Sequence, residues 1–295
     1  MRLAVLVPGG SGQLGRDLVQ AAPASATEVT APSSAELDLT STGSVVRAVS
    51  ELAARAEESG AQPVVINAAA YTAVDAAETD EARAFAVNVD GPRVLAAACT
   101  SRRVPLIHVS TDYVFPGDAD RPYEVDDELG PRNAYGRTKA AGEDAVLGSG
   151  ASAWVVRTSW VYGKTGANFV ETMRRLESER ESVSVVDDQR GAPTWSLDLA
   201  RGLWELASAI GEGKGPAGRV LHCTGGGETT WFGFARAIFE EIGADPGRVK
   251  PCTTEEFPRP AVRPGYSLLS NASWREAGLT PLRDWRDALR EYLAG

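Results

Sequence analysis

The strongest constraint on this chain lies at its start. A short apolar run, Leu3–Val7, leads straight into Gly9-Gly10-Ser11-Gly12-Gln13-Leu14-Gly15, and a helical pattern follows over Gln13–Ala22. Glycines spaced G-x-x-G-x-x-G between a strand and a helix have a specific physical use. The first makes a tight turn, the second lets backbone approach a pyrophosphate, and the third lets helix and strand pack closely, with the helix N-terminus facing the anion. Gly9, Gly12, Gln13, Leu14 and Gly15 are therefore candidate cofactor-binding residues. A nucleophile elbow around Ser11 is excluded, because Gln13 stands where G-x-S-x-G needs its last glycine.

The rest of the first half repeats the strand–helix rhythm. Apolar runs at Glu28–Ala31, Pro63–Asn67, Val104–Val109 and Ala153–Arg157 alternate with helical patterns at Gly43–Ser59, Asp80–Arg103 and Ala134–Leu147. Strands that are apolar throughout, separated by helices, imply a parallel sheet covered on both faces. The right-handed crossover rule then gives an α/β fold with a Rossmann-type doubly wound parallel sheet. Beyond residue 160 the rhythm loosens. Helices are predicted at Phe169–Glu179, Leu197–Ile210, Thr230–Ile242 and Trp285–Leu293, strands at Val183–Val186 and Arg219–His222, and Pro251–Pro264 as extended or turn-like chain. We expect a dinucleotide-binding domain over 1–160 and a smaller C-terminal substrate-binding lobe over 161–295, with segments returning to the first.

The net charge of −10 argues against a nucleic-acid binder, which needs clustered cations to displace counterions. Cys99, Cys223 and Cys252 are odd in number and far apart, which disfavours a disulfide framework or a zinc knuckle. The apolar start is too short for a signal peptide, and no stretch approaches the ~20 apolar residues of a membrane span. A soluble cytoplasmic protein without membrane partners is expected.

Tyr135-Gly136-Arg137-Thr138-Lys139 is a Y-x-x-x-K at the start of a helix. Residues four apart share a face, so the ammonium can approach the phenol oxygen and draw its pKa down from ~10. The motif alone occurs often by chance. Two facts raise it: Lys139 is one of only four lysines, and Ser110-Thr111-Asp112 ends the strand just upstream. A hydroxyl at the carboxyl end of a parallel strand can hydrogen-bond a substrate carbonyl. At the second strand tip, Thr30-Ala31-Pro32-Ser33-Ser34 has no acid to hold ribose hydroxyls, while Arg16 follows the third glycine. That favours NADPH and leaves NADH open; Arg16 also reads as an ordinary solvated helix residue. Asp38 and Leu39 come later and are placed beside the adenine.

Longer strings carry a family resemblance. They are Asn67-Ala68-Ala69-Ala70-Tyr71-Thr72-Ala73-Val74-Asp75, Ser110 to Phe115, Arg157 to Tyr162, Asn168-Phe169, Asp188 to Thr194, and Arg263-Pro264. Together with the glycine loop and Y-x-x-x-K, they resemble the dTDP-4-dehydrorhamnose reductases of the extended short-chain dehydrogenase/reductase superfamily. The resemblance implies that Tyr135 protonates the C4 oxygen of a dTDP-4-keto sugar, Lys139 lowers its pKa, and Thr111 orients the carbonyl. It implies that Asp112 and Trp160 line the sugar site, that Asn168 and Arg263 contact the nucleotide-sugar, and that Ala69, Ala70 and Tyr71 pass along the cofactor. Structural readings stand beside these: core packing for Trp160, a helix cap for Asn168, a surface cation for Arg263.

Some relatives hold magnesium at a homodimer interface with acidic residues. Asp17 suits one such position, but Leu197 stands where a second acid is expected, with Asp198 next, so no metal is assigned. A dehydratase of the same fold needs an Asp-Glu pair after the threonine; here Tyr113 follows Asp112, which favours reduction. A 4-ketoreductase for another dTDP-deoxysugar stays open. A non-catalytic regulatory relative is opposed by the joint presence of Tyr135 and Lys139. His108 and His222 read as packing residues.

Overall fold

The computed structural model describes residues 1–295. Its centre is a six-stranded, wholly parallel sheet built from β1 (Leu3–Leu6), β2 (Ala26–Thr30), β3 (Gln62–Asn67), β4 (Leu106–Thr111), β5 (Ala153–Thr158) and, from much later in the chain, β7 (Val220–His222). The strand order is β7-β5-β4-β3-β1-β2, so the direction of winding reverses between β1 and β3. Crevices outside such a switch point are where doubly wound sheets bind ligands.

The sheet is buried on both faces because its strands alternate within an apolar run. Leu3, Val5, Val64, Ile66 and Val156 point to one side, where they meet Leu18 of α1 (Gln13–Gln20) and Leu199, Leu203 and Leu206 of α6 (Ser196–Gly211). Ala4, Leu6, Val65, Leu106 and Val155 point to the other, against Val45, Val49 and Leu52 of α2 (Thr42–Ser59) and Leu95 of α3 (Gly91–Arg102). Burying each large aliphatic side chain contributes roughly 1.5–3 kcal/mol, so the two layers fix the sheet's register.

Two differences from the expected elements bear on the site. The helix expected over Asp80–Arg103 is interrupted: Glu81–Phe85 is α, Ala86–Asp90 is a π turn, and α3 resumes at Gly91. Pro92 has no N–H to offer the Asn88 carbonyl four residues back, so the ladder has to widen. The strand expected over Val104–Val109 lies two residues later, because Ser110 and Thr111 still pair with Arg157 and Thr158 of β5. That shift carries two hydroxyls onto the strand's carboxyl end.

The second lobe has its own apolar core, in which Val183 and Val185 of β6 (Val183–Val186), Phe234 and Phe239 of α7 (Trp231–Glu241) and Leu289 of α8 (Trp285–Ala294) are buried. β6 pairs in parallel with β8 (Val249–Cys252), where Pro251 is tolerated because the strand is an edge. The lobes are stitched together: α6 lies under the main sheet, and the Trp204 indole donates to the Leu18 carbonyl at 2.8 Å. No helix is long and apolar enough to cross a membrane.

Candidate active site

The glycine loop is built by close backbone contacts. Gly9 has φ +83°, and a Cβ there would stand 2.7 Å from the Ala69 nitrogen. A Cβ on Gly15 would stand 2.2 Å from the Gly9 carbonyl oxygen, so α1 can reach the loop only with glycine at that place. Gly10 is equally confined, by Ala31 O at 2.1 Å, a constraint the spacing argument passed over. Gly12 is the N-cap of α1 and has no side chain to satisfy the first turn, which leaves Gln13, Leu14 and Gly15 presenting open N–H groups. Pro8 gives up a donor at the loop entry, yet its carbonyl accepts from Ala68 N at 3.1 Å and so ties the loop to the end of β3. The glycine loop and Ala69 are thus neighbours at the switch point. Tyr71 is held beside them by Asn88, whose Oδ1 accepts its N–H at 2.8 Å. Arg16 is exposed and donates to the Ser11 carbonyl at 3.1 Å. Asp38 is exposed and accepts from the Thr40 N–H at 2.9 Å, while the Leu39 side chain is buried in the core.

Across this crevice, β4 and α4 (Ala134–Leu147) bring Thr111, Asp112, Tyr135 and Lys139 together. The helix starts where it does because Asn133 caps it, its Oδ1 accepting from the Gly136 N–H at 2.8 Å. Thr111 Oγ1 donates to Asp112 Oδ1 at 2.9 Å. Burial pushes the Tyr135 hydroxyl up to about 12, a hydrogen bond with Thr111 pulls it down, and Asp112 pushes it further up. Tyr135 therefore keeps its proton at neutral pH. Asp112 is raised to about 6, by burial first, against the opposing hydrogen bond from Thr111; its Oδ2 is buried without a partner. Lys139 is only 2% exposed, and burial lowers it to about 8 against the pull of Glu143. Its Nζ turns to the Val109 carbonyl at 2.7 Å and lies 3.4 Å from His108 Nε2.

A cavity of about 660 Å³ opens between the lobes, lined by Asp75, Tyr113, Phe169, Gln189, Trp231 and Arg263 among others. Tyr113 bridges it to Tyr135, the two rings edge-on at 5.5 Å. Arg263 lines the cavity and pairs with Asp75 at 2.9 Å, so it is anchored on the short helix Val74–Ala77 that follows β3. Trp160 sits at φ +47°, a region where a bulky residue is strained. Its indole is stacked on Trp231 at 3.7 Å, and Gly191 leaves room on that side: a Cβ there would stand 2.6 Å from Trp160 Cε2. Asn168 caps α5 (Phe169–Glu179), its Oδ1 accepting from Glu171 N at 3.1 Å, and its Nδ2 donates to Gly163 O at 2.7 Å and Gln13 Oε1 at 3.4 Å. Its amide is committed to the cap, to the Gly163 carbonyl and to Gln13 of the glycine loop.

Tyr113, Gln189 and Trp231 line the cavity although none was a candidate on sequence. Tyr113 and Gln189 lie inside the strings that carry the family resemblance, beside Asp112 and Asp188, and Trp231 opens a helix after Thr229-Thr230. Asp17 points inward and accepts from the Ser196 hydroxyl; burial raises its pKa. Asp198 is bound by Arg283 at 2.7 Å.

A family model described as RmlD substrate binding domain matches residues 1–295. The chain is 48% identical to a probable dTDP-4,6-dihydroxy-2-methyloxan-3-one 4-ketoreductase of Streptomyces antibioticus, over 97% of this chain and 93% of the relative. It is also 48% identical to a dTDP-4-dehydrorhamnose reductase of Streptomyces griseus, over 97% and 91%. Among solved structures, the dTDP-4-dehydrorhamnose reductase of Bacillus anthracis in complex with NADP superposes with a TM-score of 0.91 at 34% identity, covering 100% of this chain and 99% of that one.

Proposed function

The chain belongs to the RmlD substrate binding domain family, and from that premise we propose that it reduces the C4 keto group of dTDP-4-dehydro-β-L-rhamnose to dTDP-β-L-rhamnose with NADPH. NADH stays open as coenzyme. The observation that carries the reading is the switch-point crevice: a pyrophosphate cradle on one wall, and a protonated Tyr135 grouped with Thr111 and Lys139 on the other.

The cradle fits a dinucleotide, since Gly9, Gly10 and Gly15 leave no room for a Cβ and the first turn of α1 presents unsatisfied N–H groups. Gly9, Gly12, Gln13, Leu14 and Gly15 would hold the pyrophosphate, Ala69, Ala70 and Tyr71 the central stretch, Asp38 and Leu39 the adenine end, and Arg16 a 2′-phosphate. When bound, the coenzyme supplies the hydride received by C4. Thr111 orients the sugar carbonyl, and Tyr135 gives its proton to the C4 oxygen; the phenol is a sufficient acid, because the alkoxide it protonates is the stronger base. Lys139, one helical turn on, stabilises the resulting phenolate. Asp112 and Trp160 contact the sugar, and Arg263 the diphosphate. Asn168 acts as a positioning residue, holding Gln13 and hence the loop.

The S. antibioticus relative, at the same identity, favours a second reading: 4-ketoreduction of a different dTDP-deoxysugar. Supplying dTDP-4-dehydro-β-L-rhamnose and following nicotinamide absorbance tests the first; no oxidation by the wild type overturns it, and product stereochemistry by NMR separates the two. We further assign the protein to the cytoplasm, where its three free thiols would stay reduced. A homodimer is the assembly to look for by sedimentation.

A further inference from the structure

Lys139 has a neighbour that the proposed reaction does not use. His108, in the middle of β4, is fully buried between Asn67 of β3 and the Lys139 side chain. The Asn67 amide has a fixed orientation, because its Oδ1 accepts the Ala69 N–H at 3.2 Å. Its Nδ2 must then face His108 Nδ1, at 3.0 Å. A donor on that side makes Nδ1 the acceptor, which leaves the proton of a neutral imidazole on Nε2. Nε2 is the atom that faces Lys139 Nζ, at 3.4 Å.

We infer that His108 is a positioning residue for Lys139: locked as the Nε2–H tautomer by Asn67, it denies Nζ an acceptor in the core, so that Val109 O takes one proton and the others are left for the active-site side. The inference rests on the proposed role of Lys139. The charged or titratable groups around Nζ are His108 from β4, Glu143 one turn further along α4 and ion-paired with Arg157 of β5 at 2.7 Å, and Tyr135 one turn back. Burial holds His108 well below its ordinary value, in keeping with a neutral ring. The network also links Lys139 to the cofactor wall, since the N–H that orients Asn67 belongs to Ala69.

The chain has only two histidines, so the test is clean. Long-range ¹H–¹⁵N correlation spectra of ¹⁵N-histidine-labelled protein, with His222→Gln to assign the signals, should show His108 neutral, Nε2 pyrrole-like and Nδ1 pyridine-like, from pH 5.5 to 9. In Asn67→Asp the carboxylate accepts from Nδ1–H, and the lone pair of Nε2 turns to Nζ. The tautomer should invert, and the Lys139 limb of the kcat–pH profile should move up by on the order of one pH unit. A wild-type Nδ1–H ring, or an unmoved profile despite an inverted tautomer, overturns the inference. The spectra need no turnover, so a wild type that leaves the ketosugar unreduced counts against the proposed reaction alone.

Discussion

Replacing Asp112 by Asn should stabilise the fold at pH 8 and give no such gain at pH 4. The carboxyl is buried at the end of β4, and its pKa stands at about 6 against an ordinary value of 3.8. At about 1.4 kcal/mol per pH unit, that difference corresponds to about 3 kcal/mol. The sign follows from where the proton sits. Below about pH 4 the group is protonated in both folded and unfolded chains and contributes nothing to the pH dependence. Between about 4 and 6 the folded chain keeps a proton that the unfolded chain has released, so stability falls as pH rises. Above about 6 the folded state carries the whole penalty of a buried charge. An amide keeps the oxygen that accepts from Thr111 and places NH₂ where Oδ2 is already without a partner. That exchange adds an offset of about 1–3 kcal/mol at most, equal at every pH. Urea unfolding of both proteins, followed by tryptophan fluorescence at pH 4, 5, 6 and 8, isolates the charge: the stability of Asp112→Asn relative to wild type should rise through the window by about 3 kcal/mol. A difference that stays flat from pH 4 to 8 would refute the burial argument. Turnover should fall in the same variant, since a carboxylate kept at such a cost in a cleft is there for its chemistry.

Tyr135→Phe should lower kcat by about 10²–10⁴ while leaving NADPH affinity within twofold, read by turnover and by fluorescence titration. Gly15→Ala forces a Cβ to 2.2 Å from the Gly9 carbonyl, and should weaken NADPH binding by tenfold or more, or about 1.4 kcal/mol, in the same titration. Arg157→Met leaves Glu143, whose side chain is 1% exposed, as an unpaired buried charge, and should destabilise the protein by about 3–5 kcal/mol in urea. Adding Glu143→Leu to that variant should recover most of the loss.

What could be read from the sequence was what the sequence holds locally. The glycine loop declares itself because turn, close approach and helix start fall within a few consecutive residues, and Tyr135 and Lys139 because four residues along a helix is one turn. The parallel sheet follows from runs such as Val64-Val65-Ile66, apolar on both faces. Features that depend on distant partners were hidden. Nothing near Trp231 says that it stacks on Trp160, and nothing near Arg263 says that Asp75 waits for it. The interrupted helix had a local signal in Gly91-Pro92, outweighed by the alanine-rich pattern around it. Pro251 concealed β8, since proline argues against a central strand and only the fold shows that this strand is an edge. The Lys139 environment was invisible for a plainer reason: the side chain turns to a carbonyl and an imidazole on a strand thirty residues earlier.

The stitching of the lobes has a consequence for synthesis. One face of the central sheet is roofed by Leu199, Leu203 and Leu206, and the same apolar cluster includes Trp274 and Leu279. A nascent chain that has released β1 to β5 therefore holds a sheet with one side covered only by α1, and β5 lacks its outer neighbour until Val220–His222 emerges. At roughly 5–20 residues per second, that half-finished state lasts for seconds on the ribosome. During that interval the uncovered part of that face is a hazard for aggregation and a natural place for a chaperone to hold.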